Sequence, residues 1–181
     1  MLFLKKYPTL AEDQLMALVA QGDQKAFRVL LERHQHAVLD YAFRLLGDTQ
    51  EARDVAQETM LRVYKAAGSY RAEGTFRAWV MRIARNQCLD RLRRPAPLLM
   101  DELPEQADTD TPLAVALRTE DAQAVSMAVR ELPEAQRTAL ILRHNEGMRY
   151  TQIAETMDIS EGAVESLLVR ARKGLRRSLG R

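Results

Sequence analysis

The sequence predicts an all-α protein: two small helical domains joined by an acidic linker. Ala, Leu, Arg, Glu and Gln dominate its 181 residues, with only eight Gly and six Pro, a composition that favours helix over strand. Apolar residues recur at helical spacing through most of the chain, and no alternating strand pattern interrupts them. The charge is segmented beneath a net +2. Residues 1–94 carry sixteen Lys and Arg against eleven Asp and Glu, residues 95–120 one against six, and residues 121–181 ten against eight. A basic, acidic, basic order points to two binding modules and a connector of opposite sign. The expected domains are 1–94 and 113–181, with a linker over 95–112.

The helices can be placed in turn. Thr9 with Glu12 reads as a capping box that opens a helix ending near Gly22. Asp23 caps a second helix, with Phe27, Leu30, Leu31, Val38, Ala42 and Leu45 at helical period up to Gly47. Asp48 with Glu51 opens a third, whose inner face is Ala52, Val55, Ala56, Thr59 and Val63. After the polar loop "SYRAEG", Thr75 or Gly74 starts a fourth, with Phe76, Trp79, Val80, Ile83, Leu89 and Leu92 expected inward. The stretch "PAPLLMDELPEQADTDTP" has four prolines and no sustained period, so it reads as linker. Pro112 suits the first turn of a fifth helix through Leu113, Leu117, Val125 and Val129. Pro133 starts a sixth, Thr151 caps a short seventh, and a long eighth begins near Glu161.

Several function classes are excluded early. Cys88 is the one cysteine, so there is no disulfide framework and a cytoplasmic setting is expected; its side chain reads as a small buried apolar group. The N-terminus "MLFLKKYPTL" lacks the apolar core of a signal peptide, and no run approaches bilayer length, so no membrane insertion is expected. His34, His36 and His144 with one distant cysteine make a poor metal set. No nucleophile–base pair or phosphate loop is present, so neither a cofactor nor an enzyme is expected.

The C-terminal stretch "RYTQIAETMDISEGAVESLLVRARKGLRR" carries the spacing of a helix-turn-helix. Ile153, Ala154 and Met157 form the inner face of the short helix. Asp158, Ile159 and Ser160 make the break, with Asp158 suited to a left-handed backbone. Ser160 caps the next helix, and Val164, Leu167 and Leu168 face back. The opposite side then presents Gly162, Glu165, Ser166, Val169 and Arg170, followed by Arg172, Lys173, Arg176 and Arg177. The first group suits base edges in a major groove and the second suits phosphates. Arg170 matches a guanine and Glu165 a cytosine amino group. With the cap Ser160, these make the expected duplex-binding set.

The stretch "FRAWVMRIARNQCLDRLRR" puts Arg77, Arg85, Asn86, Arg93 and Arg94 on an expected outer face, with Tyr70 and Trp79 at the preceding loop. Rings beside cations suit a single strand; the pattern equally allows Trp79 and Phe76 to be core. On the third helix Asp54, Gln57, Glu58 and Arg62 form a polar face, either plain solvent-exposed helix or a dock for a helical partner.

Together these stretches resemble the extracytoplasmic-function sigma factors of bacterial RNA polymerase, over nearly the whole chain. "GDQKAFRVLLERHQHAVLDYAFRLLGDTQEARDVAQETMLRVYKAAGSY" and "GTFRAWVMRIARNQCLDRLRR" are similar to sigma region two, and "LPEAQRTALILRHNEGMRYTQIAETMDISEGAVESLLVRARKGLRR" to region four. The resemblance implies that Asp54, Gln57, Glu58 and Arg62 grip the polymerase clamp helices. It implies that the loop from Tyr70 to Thr75 captures a flipped base of the −10 element. Arg77, Trp79, Asn86, Asp90, Arg93 and Arg94 would then handle that strand, and Glu165, Ser166, Val169 and Arg170 would meet the −35 element. Glu165 and Leu167 stand where many members carry basic residues, so the −35 sequence is not carried over.

The implied partners are core RNA polymerase, promoter DNA and an anti-sigma factor. Base–aromatic contacts of about 1–3 kcal/mol offset opened steps whose stacking is worth about 1.4 kcal/mol each. The acids Asp101, Glu102, Glu105, Asp108 and Asp110 fit either an inert spacer or a tether in a basic polymerase channel. The alternative function is a stand-alone helix-turn-helix regulator whose N-terminal helices sense a ligand or dimerise.

Overall fold

The computed structural model describes residues 7–94 and 120–180. The expected linker at 95–112 and the residues Leu113 and Leu117 lie outside them. Among the described residues the chain is all helix and turn. The helices are α1 (Glu12–Ala20), α2 (Gln24–Leu46), α3 (Thr49–Ala66) and α4 (Phe76–Arg93), then α5 (Glu120–Arg130), α6 (Glu134–His144), α7 (Tyr150–Met157) and α8 (Glu161–Ser178). Helices α1–α4 form one bundle and α5–α8 a second.

Local chemistry sets most of the helix starts. Asp23 accepts from the amides of Lys25 and Ala26 at 2.9 and 3.1 Å, and from the Tyr7 hydroxyl at 2.7 Å. Asp48 accepts from the Glu51 amide at 2.7 Å and Thr75 from the Ala78 amide at 3.2 Å. Each satisfies a donor that the first helical turn leaves open. Two expected starts are displaced. Thr9 ends a 3₁₀ turn, and α1 instead begins where Gln14 Oε1 accepts from the Ala11 amide at 3.1 Å. Likewise α7 begins at Tyr150, with Gln152 Oε1 accepting from the Arg149 amide at 3.0 Å, one residue ahead of Thr151. In both cases a glutamine at the third helical position accepts from the amide of the residue before the helix.

At the centre of the first bundle is α2, about 35 Å long at 1.5 Å per residue, which packs on α1, α3 and α4. Leu30, Val38, Tyr41, Ala42 and Leu45 are its buried stripe. Gly47 ends it in the left-handed conformation, its amide bonded to the Phe43 carbonyl at 2.8 Å. Between α3 and α4 the Gln87 side-chain amide donates to the Thr59 hydroxyl at 2.8 Å, a hydrogen bond between two buried polar side chains. The inner face of α4 is Phe76, Val80, Met81, Ala84, Gln87 and Cys88, whereas Leu92, expected inward, is exposed. Val125 on α5 is likewise exposed, and Ala128 takes the buried position.

In the second bundle α8 packs on α5, α6 and α7. A Cβ on Gly174 would lie 2.8 Å from Leu132 Cδ2, so the absent side chain permits that approach. The turn between α7 and α8 is built as the sequence indicates. Asp158 adopts φ 56° and ψ 51°, and the Ile159 amide bonds to the Ala154 carbonyl at 3.1 Å. Ser160 then accepts from the Ala163 amide at 3.2 Å, while Val164, Leu168 and Ala171 are buried.

Asp158 is the only non-glycine with positive φ among the described residues. Asp158→Gly should leave the urea midpoint nearly unchanged, while Asp158→Val should destabilise by about 1–2 kcal/mol. His34 gives a pH prediction. Its ring meets Phe76 edge-on at 5.0 Å, and Nε2 lies 3.6 Å from Glu12 Oε1. Burial pushes its pKa below the usual histidine value; Glu12 opposes that shift, while Arg77 and Arg33 add to it. The unfolded chain takes up a proton near pH 6.5 that the folded chain refuses until lower pH. The contribution is thus full above that value and is lost as pH falls from there through the lower folded value. Urea midpoints at pH 7.5 and 5.5 should differ less in His34→Gln than in the parent chain.

Candidate nucleic-acid interface

Helix α8 presents its outer side freely. Glu165, Ser166, Val169 and Arg170 line one shallow concavity, and Val169 is 56% exposed although apolar. Ser160, Gly162, Arg172, Lys173, Arg176 and Arg177 are exposed as well. Arg170 Nε donates to the Ser166 carbonyl at 3.1 Å, so its guanidinium lies back along its own helix. Cationic and small polar groups thus share one helical face, opposite a buried apolar stripe. That geometry fits an α-helix entering a groove of double-stranded DNA.

The loop before α4 and the start of that helix form an aromatic cluster. The Tyr70 ring lies 4.8 Å from Trp79 and 5.8 Å from Phe76, and Phe76 lies 5.6 Å from Trp79. The Tyr70 hydroxyl donates to Asp13 Oδ1 at 2.7 Å; burial and this bond push its phenol up. Phe76 is buried, and Tyr70 and Trp79 are half-buried. Both alternatives for the aromatics are therefore partly realised: Phe76 is core, and the other two rings are partly open to solvent. Asn86, Asp90, Arg93 and Arg94 are exposed further along the helix.

The remaining arginines of α4 are engaged. Arg77 Nη2 donates to the Glu146 carbonyl at 2.6 Å and to its carboxylate at 3.1 Å. Burial pushes the Glu146 carboxyl up, and Arg77 pulls against that. Arg82 Nε donates to the Glu155 carbonyl at 2.9 Å, and its Nη2 reaches the same oxygen. Arg85 pairs with Glu134 at 3.7 Å and is largely buried. Arg85 therefore lies against the second bundle and not on an open face, and Arg77 is engaged there while remaining partly exposed. Arg91 stays within the first bundle, on Glu51 at 2.6 Å.

Helix α3 exposes Asp54, Gln57 and Arg62, with Glu58 half-buried. Arg62 pairs with Glu58 at 2.9 Å, and Gln50 donates to Asp54 at 3.3 Å. Beside them runs a groove of about 830 Å³ between α2 and α3. Phe27, Leu31, Leu39, Met60, Leu61 and Tyr64 give it apolar walls, and Arg28, Arg53 and Gln57 stand among its lining residues. Phe27 and Leu31 belong to the apolar period of the second helix, where both are only partly buried, and the sequence periodicity passes over Leu61 and Tyr64, which are exposed. Cys88 is fully buried, and burial pushes its thiol up to about 12. Among the described residues no helix is long and apolar enough to cross a membrane.

Comparisons with known proteins bear on the family and the fold. Residues 30–96 match the family model Sigma-70 region 2, and residues 122–175 match Sigma-70, region 4. The RNA polymerase sigma-H factor of Pseudomonas aeruginosa is 36% identical over 93% of each chain. The ECF RNA polymerase sigma-E factor of Haemophilus influenzae is also 36% identical, over 91% of this chain and 93% of its own. The structure of CnrH in complex with the cytosolic domain of CnrY superposes with a TM-score of 0.74 at 27% identity, covering 94% of this chain and 98% of that one. A two-bundle helical fold, both region matches in order and full-length relatives make the chain a member of the extracytoplasmic-function sigma factors of RNA polymerase.

Proposed function

We propose that the chain binds core RNA polymerase and directs promoter-specific initiation of transcription. The bundle α5–α8, within a domain taken as 113–181, reads −35 duplex through Ser160, Gly162, Glu165, Ser166, Val169 and Arg170. Arg172, Lys173 and Arg176 meet the phosphates. The domain at 1–94 captures the −10 non-template strand through the loop at Tyr70 and through Arg77, Trp79, Asn86, Asp90, Arg93 and Arg94. Asp54, Gln57, Glu58 and Arg62 dock the polymerase, and the segment 95–112 links the two domains. The observation that supports this most directly is the free, cationic outer side of α8, held by a buried stripe on a helix-turn-helix.

Initiation on this reading needs no chemistry from the chain itself, which positions DNA for the polymerase in the cytoplasm. An anti-sigma factor is the expected antagonist; the similar CnrH is found in complex with another protein, the cytosolic domain of CnrY. A stand-alone regulator would bind a duplex operator tightly as a dimer. The sigma reading requires weak duplex binding alone and specific initiation once core polymerase is added.

Arg170→Ala should cost about 1–3 kcal/mol of −35 discrimination in a transcription assay and leave core polymerase binding intact. Asp54→Ala and Glu58→Ala should do the reverse. An Arg170→Ala chain that still discriminates −35 sequences would overturn the assignment of the α8 face.

A further inference from the structure

One buried titratable side chain touches the aromatic cluster from behind. His34 lies on α2, its side chain 13% exposed. Its Nε2 is buried and has no hydrogen-bond partner among the described residues. Glu12 Oε1, at 3.6 Å, is beyond ordinary hydrogen-bond reach. The imidazole meets the Phe76 ring at 5.0 Å and 61°. Phe76 is itself 6% exposed and packs on both Tyr70 and Trp79, with centroids at 5.8 and 5.6 Å. Ring contacts thus run without a break from the middle of α2 to the two half-buried rings at the start of α4.

We propose that neutral His34 is a positioning residue for single-strand capture: it seats Phe76, and through Phe76 the Tyr70 and Trp79 rings, and gives up that seat when it takes up a proton. The inference rests on the reading of α4 and its preceding loop as the strand-holding surface. It adds a residue behind that surface and a dependence on acidity. The charged groups that face the ring are Glu12 from α1, Arg77 from α4 and Arg33 on α2 itself. Glu12 is the one anion among them, and Arg33 already holds it at 3.2 Å. Arg33 is tied in turn to the Pro8 carbonyl at 2.8 Å. Arg77 is occupied by Glu146, and Asp13, next to Glu12, by the Tyr70 hydroxyl. An imidazolium here is a third cation sharing one acid, with an apolar ring as its neighbour on another side. It is relieved by moving toward Glu12 or toward water, and either motion withdraws the wall behind Phe76. The neutral ring has no such conflict and packs as an aromatic.

The direction of the pH response follows from these surroundings. Burial is the largest influence and holds the proton off; Glu12 opposes it, and Arg77 and Arg33 add to it. The seat is therefore intact at neutral pH and is lost only below about 6.5, the ordinary histidine value. Phe76 then gains freedom, and the rings that stack on bases lose their fixed spacing. Strand binding weakens with acid.

Trp79 is the one tryptophan of the chain, so its emission reports the cluster directly. The full chain, without polymerase, is followed by Trp79 fluorescence from pH 7.5 to 5.5. Its binding of a labelled single-stranded oligothymidylate, whose bases do not titrate in that range, is measured by anisotropy at both ends. The parent should show a fluorescence transition and bind about 5-fold more weakly at pH 5.5, as for losing one base–aromatic contact. His34→Phe keeps a ring and removes the proton: it should bind as the parent does at pH 7.5 and show neither the transition nor the loss. His36→Gln/His144→Gln replaces the other two histidines and should retain both. A role as core filler alone predicts the same pH response in parent and His34→Phe, and that result overturns the proposal. So does a transition that disappears in the His36→Gln/His144→Gln variant. Where circular dichroism shows that His34→Phe has lost helix, His34→Gln is read in its place on pH response alone, with the same outcomes. A parent that shows the Trp79 transition but binds no strand at either pH overturns the strand-holding reading and the proposal with it. A parent that binds strand equally at both pH values overturns the proposal alone.

Discussion

Four guanidinium groups on α4, those of Arg77, Arg82, Arg85 and Arg91, find acceptors elsewhere in the chain. Much of the molecule's arrangement follows from where those acceptors lie. Arg91 finds Glu51 on α3 and thereby braces the first bundle. Arg77, Arg82 and Arg85 find no such partner there and reach the acids and carbonyls of the second. The apolar core extends across the same boundary: Tyr41 of α2 is fully buried, with Thr138 and Glu134 of α6 in its surroundings. Burial supplies adhesion without direction, and the charged contacts select which faces meet.

Two surfaces of opposite character result. The α8 face is polar, cationic and already free, so it needs no rearrangement to meet a duplex beyond releasing Arg170 from its own helix. The α4 face is partly engaged, and its aromatic end is held by Asp13 through Tyr70. The groove between α2 and α3 is a third kind of surface, with apolar walls and charged side chains among them. Solvated charge suits reversible reading of a polyanion, whereas an apolar trough beside paired ions suits a protein partner. A single short chain therefore carries both chemistries on separate helices.

How much of this was legible in the sequence depends on the range of the interaction involved. Asp23, Asp48, Thr75 and Ser160 cap their helices within three residues, and all four were readable. Thr9 and Thr151 were misread as caps because the helices begin at other residues, where glutamines at 14 and 152 accept from the amides of Ala11 and Arg149, and spacing alone does not rank such starts. The buried stripe of α8 is contiguous on one side, so its outer face followed directly. The phase of α4 was harder, because it is covered on more than one side: Gln87 is buried against Thr59, and Arg85 against Glu134, while Leu92 is left outside. Arg77 meets Glu146 across 69 positions of sequence, and nothing local announces such a pairing.

The lone thiol has a practical implication. Cys88 is sealed between helices, and its thiol is held so far from ionising that almost no thiolate forms near neutral pH. A maleimide or iodoacetamide dye attacks thiolates, so the native protein is close to invisible to such reagents while folded. A cysteine placed on the rim of either bundle would take the label by itself, with no need to delete the natural one. Pairs of such labels would let the separation of the two bundles be followed as a distance, molecule by molecule, while polymerase and DNA arrive.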